Sequence, residues 1–189
     1  MRKIGIILLL FMLGNVQDFE RYKEIKKYDR YFSEYSEQYF GSTFDWRYFK
    51  AQAIVESRLS PEARSPEGAL GIMQILPTTF EEICQKNPGI KGSEKHPRWN
   101  IAAGIYYNRI MWETWDGDRP LQDRISFMFG AYNAGKDAIL EAQQIVIQKG
   151  LDPMKWASIE RVLPVVLGKD SKQTIQYVKE IHRVRELLS

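Results

Sequence analysis

Glu56 is the carboxylate in this chain best placed to move protons. It lies in Ala51-Gln52-Ala53-Ile54-Val55-Glu56-Ser57, an otherwise weakly polar stretch. Pro61 breaks the chain soon after, and Gly68 and Gly71 punctuate the loop leading to Ile72-Met73-Gln74. A carboxyl on the apolar side of a helix, facing a Gly-rich loop, suits a general acid. Apolar burial disfavours the charged form and raises the pKa, so the group still holds a proton near neutral pH. Ala53 and Phe49, three and seven residues earlier, share its helix face, and Gln52 stands one turn back as a hydrogen-bond partner. Spacing alone leaves a plainer reading open: a surface glutamate paired with Arg58 or Arg64.

Two further segments stand out. Gly68-Ala69-Leu70-Gly71-Ile72-Met73-Gln74 reads as a tight turn that delivers Ile72 and Ile75 inward, with Met73 as core filler. Ala131-Tyr132-Asn133-Ala134-Gly135 reads as a helix end, Gly135 permitting the break. Tyr132 there suits a core position with its hydroxyl at the rim.

The elements that must position these residues are helical. Apolar residues recur at steps of three and four nearly throughout, and no segment alternates strictly, so the expected fold class is all-α. Asp18 to Phe40 carries Ile25, Tyr28, Phe32, Tyr35 and Tyr39 on one face of a charged helix. Asp45 to Ser57 is the next helix, with Trp46, Phe49, Ala53 and Glu56 on one face. Thr78 with Glu81, or Thr79 with Glu82, can form a capping box opening a helix that ends before Asn87. Ile101 to Trp115, Leu121 to Tyr132 and Lys136 to Lys149 follow. Asp152 before Pro153 has the look of an N-cap with proline at the first helical position. Ser171 to Leu188 forms the last helix.

Composition narrows the class. Apolar residues make up 44% and aromatics 13% of 189 residues, which suits one packed domain rather than a disordered chain. A single cysteine, Cys84, excludes an intrachain disulfide and is expected as a small buried residue on a helix. With only His96 and His182 beside it, no metal-ligand spacing is present. Arg2 and Lys3 precede an apolar run from Ile4 to Leu13, then polar Asn15, Gln17 and Asp18: the layout of an export signal over residues 1–16. The run is shorter than the roughly 20 residues of a spanning helix. The lack of a clean small-residue cleavage site keeps an uncleaved anchor, and membrane association through residues 4–13, open. Removing residues 1–16 takes two from the 27 basic residues and leaves 25 against 24 acidic ones, a net charge of +1. With no basic stripe and no recognition motif, nucleic acid is not an expected partner. The domain division is residues 1–16 as signal or anchor, 17–40 as an aromatic amphipathic helix packed on the domain and 41–189 as the main domain.

In order, the motifs are Glu56-Ser57, then Ser65-Pro66-x-Gly68-Ala69-x-Gly71-Ile72-Met73-Gln74, then Ala131-Tyr132-Asn133-Ala134-Gly135, then Tyr177-Val178. Together they resemble the catalytic domain of the soluble lytic transglycosylases, relatives of goose-type lysozyme. Leu140-Glu141-Ala142, Gly150 to Trp156 and Leu163-Pro164 are similar to the membrane-bound lytic murein transglycosylase F type. The resemblance spans roughly residues 28 to 185. Ile72 stands where the family usually has Leu, a volume-conserving change.

The resemblance implies a lysozyme-like all-α fold acting on peptidoglycan glycan strands, without cofactor, as an exported and monomeric protein of the periplasm or cell envelope. It implies Glu56 as the single acid/base. Ser65 and Gln74 are then polar cleft positions, and Met73 packs against the glycan. Tyr132 is the cleft tyrosine, Asn133 its neighbour, and Tyr177 belongs to the cleft wall. The expected product is a 1,6-anhydromuramoyl end formed at the β-1,4 bond between N-acetylmuramic acid and N-acetylglucosamine. A lysozyme-like muramidase on the same fold and a non-catalytic wall-binding protein are the alternatives. Glu62 or Glu67 is the first candidate for the second carboxylate a hydrolase needs.

Overall fold

The computed structural model describes residues 21–189. The expected export signal and membrane run lie outside them. Eight α-helices are described: α1 (Asp29–Phe40), α2 (Arg47–Ser57), α3 (Pro77–Lys86), α4 (Pro97–Thr114), α5 (Leu121–Ala134), α6 (Lys136–Gln148), α7 (Trp156–Leu167) and α8 (Ser171–Leu187). One 3-10 turn, Gly168–Asp170, joins α7 to α8. No strand occurs among the described residues; two isolated antiparallel bridges, Arg64 with Leu70 and Leu70 with Ile75, are the β-like features seen. The all-α expectation holds. No helix among the described residues is long and apolar enough to cross a membrane.

The described residues fall into two compact units. One comprises residues 21–109 and 180–189, the other residues 110–179. In the first, α1 packs on α2. Nearly every residue of α2 from Tyr48 to Glu56 is buried, not the single face expected, so this helix runs through the core. Buried charge on it is paired at Lys50. Lys50, 3% exposed, meets Asp29 at 2.8 Å.

The expected helix from Asp18 to Phe40 is interrupted at residues 24–28. Tyr22 and Tyr28 are both buried, yet six residues turn a straight helix by about 240°, so one helix cannot bury both on one face. The break lets each reach the core, and Asp29 restarts the helix with a negative charge in its first turn. The capping box expected at Thr78 or Thr79 does not form. Pro77 occupies the first turn of α3 and sets its φ, while Leu76 holds the N-cap position with a side chain that has no acceptor, so no side chain caps the helix. Cys84 is half-buried on α3, and burial followed by Glu94 pushes its thiol pKa up.

In the second unit, α5, α6 and α7 pack on one another. Phe127 sits between Trp115 and Trp156, with ring centroids 5.5 and 5.6 Å away. Gly130 is required beside Trp156: a Cβ there would stand 2.2 Å from the indole. Asp152 does not cap a helix. Its Oδ1 accepts from the Met154 N–H at 2.8 Å in a local turn, and α7 starts at Trp156, whose N–H donates to Asp123 Oδ1 at 2.7 Å. The cap therefore comes from α5, 33 residues away in sequence.

Candidate active site

Glu56 sits in the last turn of α2 and is 6% exposed. It lines a pocket with Val55, Ser57, Arg58, Ala63, Arg64, Ser65 and Gln74, enclosing about 410 Å³ including its open mouth. Among the described residues lining it, Glu56 is the one carboxylate, and Arg58 and Arg64 bring positive charge. Glu62 and Glu67 are exposed and do not line it.

The loop after α2 shapes this pocket under backbone strain. Arg58, Leu59 and Gln74 have φ of 56°, 60° and 47°, and they are the non-glycine residues with positive φ among those described. Such conformations cost energy and persist where surrounding bonds over-determine them. Here the bonds run from side chain to backbone. The Ser57 hydroxyl donates to the Ile72 carbonyl at 2.8 Å, tying α2 to the glycine turn. Gln74 Nε2 donates to the carbonyls of Gly71 and Ala63 at 2.8 and 3.2 Å. Ser65 Oγ accepts from the Ala69 N–H at 3.2 Å. Backbone bonds between Leu70 and Ile75 at 2.9 and 3.1 Å close the turn.

Asn100 completes the frame and was not identifiable from the motifs. It is 1% exposed in the first turns of α4. Its Oδ1 accepts from the Met73 N–H at 2.7 Å, and its Nδ2 donates to the Leu70 and Glu94 carbonyls at 3.0 and 2.9 Å. A Cβ on Gly71, whose φ is +74°, would meet Asn100 Nδ2 at 2.7 Å, so the glycine is needed for both conformation and room. In sequence Asn100 is one of two amides on α4, with Asn108, just before the small apolar run Ile101-Ala102-Ala103.

Of the residues singled out from sequence, Glu56, Ser65 and Gln74 come together in this pocket. Met73 follows the turn but is fully buried, its side chain against Gly104. Ser57, next to Glu56 in sequence, supports the loop through its bond to Ile72. Tyr132, Asn133 and Tyr177 belong to the second unit, all buried at 2%, 3% and 0% exposure. Within it, Asn133 Oδ1 accepts from the Thr174 hydroxyl at 2.8 Å, which joins α5 to α8. Among the described residues no group of three or more His, Cys, Asp and Glu stands close enough to hold a metal ion.

Comparison with known proteins gives a consistent result. The family model described as Transglycosylase SLT domain matches residues 31–153. The membrane-bound lytic murein transglycosylase F of Shewanella pealeana is 32% identical over 154 residues, covering 82% of this chain and 30% of the relative. That of Pseudoalteromonas translucida is 32% identical over 153 residues, covering 81% of this chain and 30% of the relative. The chain therefore spans under a third of the length of these curated relatives.

The fold is similar to that of the 70 kDa soluble lytic transglycosylase of Escherichia coli, with a TM-score of 0.66 and 23% identity over 86% of this chain and 24% of that one. It is similar also to an inactive mutant of the lytic transglycosylase Slt of Pseudomonas aeruginosa, at a TM-score of 0.68 and 20% identity over 87% and 24% of the two chains. The family match covers more than half of the sequence and carries Glu56, the glycine turn and Tyr132 within it, and this chain belongs to the Transglycosylase SLT domain family.

Proposed function

We propose that this chain is a peptidoglycan lytic transglycosylase in which Glu56 is the single acid/base. The observation that carries the reading is a buried carboxyl that is the lone acid among the described residues of a polar pocket, in a chain of this family. Glycosidases that work with two carboxylates hold them about 5–5.5 Å apart when retaining and about 6.5–9.5 Å when inverting. With one carboxylate, the substrate supplies the second function.

Glu56 donates its proton to the oxygen bridging N-acetylmuramic acid and N-acetylglucosamine, and the bond from that oxygen to the muramoyl C1 breaks. The N-acetyl carbonyl of the muramoyl residue stabilises the positive charge left on C1. Glu56, now a carboxylate, accepts the proton of the C6 hydroxyl while that oxygen bonds to C1 and closes the 1,6-anhydro ring. Glu56 ends as it began, protonated, and no water is consumed. Attack from within the same sugar has a large proximity advantage. Ser65 and Gln74 orient the sugar from the pocket, with Tyr132, Asn133, Met73 and Tyr177 as further substrate positions. The substrate sets the location at the cell envelope, in keeping with relatives named as membrane-bound.

The test is digestion of purified peptidoglycan followed by mass spectrometry of the released fragments. Wild type should yield anhydromuramoyl ends, and Glu56→Gln should lose at least about a hundredfold in rate, the scale of a lost general acid–base group. Reducing muramic ends from the wild type would replace this reading with that of a muramidase. Binding without turnover would leave a wall-binding protein.

A further inference from the structure

The unit holding Glu56 also holds a buried amide pair that the mechanism does not use. Asn108 on α4 is 0% exposed, and its Nδ2 donates to Gln52 Oε1 at 2.7 Å and to the Gly104 carbonyl at 3.0 Å. Its Oδ1 is sealed from solvent with no hydrogen-bond donor on it. A buried acceptor left unsatisfied is destabilising, and an apolar side chain of similar size would remove that cost. Gln52 is likewise 0% exposed and lies on α2, four residues before Glu56. Helical side chains lean toward the N-terminus, and residues four apart share a face, so Gln52 is the neighbour one turn back on the side toward which a side chain at position 56 leans. Because Gln52 Oε1 is committed to Asn108, the carboxamide offers its NH2 group, and not its carbonyl, to the rest of its surroundings.

We propose that Asn108 is a positioning residue for Glu56, acting through Gln52: it sets the Gln52 carboxamide so that N–H groups face the carboxyl at position 56. The proposal rests on the reading of Glu56 as the acid/base. An oriented donor favours the carboxylate that must form after the first proton transfer and holds its plane for the second. A rotated carboxamide would turn a carbonyl oxygen toward it and oppose that form. Arg58 and Arg64, the charged groups lining the same pocket, stay unchanged in the test.

The test follows the Glu56 carboxyl by carbon NMR in the full chain labelled with carboxyl-enriched glutamate, assigned by its loss in Glu56→Gln, without glycan present. In Asn108→Leu the Glu56 titration midpoint is expected to rise by about half a pH unit or more, since a hydrogen bond to the charged form is lost. On peptidoglycan, kcat should fall about tenfold with KM within about twofold, the pattern of a contact that matters in the reaction rather than in binding. Asn108→Ser, whose hydroxyl still donates, should shift the midpoint less than Asn108→Leu. An unmoved midpoint in folded Asn108→Leu overturns the proposal whatever the activity. If that variant does not fold, Gln52→Leu carries the same expectation and the same overturning result. Loss of turnover in the wild type would sink the acid/base reading while leaving the titration readable.

Discussion

Around Glu56 the chain is tied by polar side chains that reach for backbone, whereas around Phe127 it is packed by rings. The first region has three strained non-glycine residues between Arg58 and Gln74, held by Ser57, Ser65, Gln74 and Asn100. The second has Phe127 between two tryptophans, the Arg119 guanidinium 4.1 Å from its ring centroid and Gly130 pressed on Trp156. The difference follows from the task. A pocket needs backbone groups at fixed places beside open space, and directional bonds can fix them where close packing would fill the space. A scaffold needs only to exclude water, and apolar area does that without direction.

The sharpest way to break the contrast is Phe127→Ala. Removing a fully buried ring should cost about 3–5 kcal/mol. Denaturant unfolding should show the loss as a lower midpoint with an unchanged slope. A cost below about 1 kcal/mol would show that the rings around Phe127 are not what holds the second unit together.

Asn100→Ala comes next. It orphans the Met73 N–H and two carbonyls, a loss of about 1–3 kcal/mol for unsatisfied buried groups. Hydrogen exchange should report it as lost protection at Met73 and its neighbours, with turnover falling further than global stability does. Uniform loss across the chain would instead make Asn100 an ordinary core residue.

The smallest effect is a pH dependence in the first unit. Burial lowers the His182 pKa below its ordinary value of 6.5, with Glu186 opposing and Arg185 adding to the shift. Above that value histidine is neutral whether the chain is folded or unfolded, and it contributes nothing. As pH falls through about 6.5 the unfolded chain takes up a proton that the folded chain refuses, so stability declines until the folded group protonates too. His182→Gln should flatten this part of a curve of thermal midpoint against pH. An identical slope in the variant would assign the pH sensitivity to other groups. Asp45 acts lower. Burial alone pushes its pKa up, but hydrogen bonds from Arg47 and Arg185 outweigh that and hold it below 3.8. Its contribution is present above that value and lost as pH falls through the folded pKa.

Local pattern was enough for much of this protein. Steps of three and four predicted the helices, most of them to within a few residues. The order of Glu56-Ser57, the Gly68–Gln74 turn and Ala131–Gly135 pointed to the family that comparison bears out. These are properties of neighbouring residues, which a chain carries before it folds.

Tertiary structure alone decided the break at residues 24–28, the burial of α2 on all sides, the cap that Asp123 gives α7, and the bonds that Asn100 and Asn108 make. Asn100 meets Met73 across 27 positions, Asp123 meets Trp156 across 33 and Asn108 meets Gln52 across 56. Amides and carboxylates at such separations leave no periodic trace, because a hydrogen bond depends on where two groups stand in space and not on how far apart they lie in the chain.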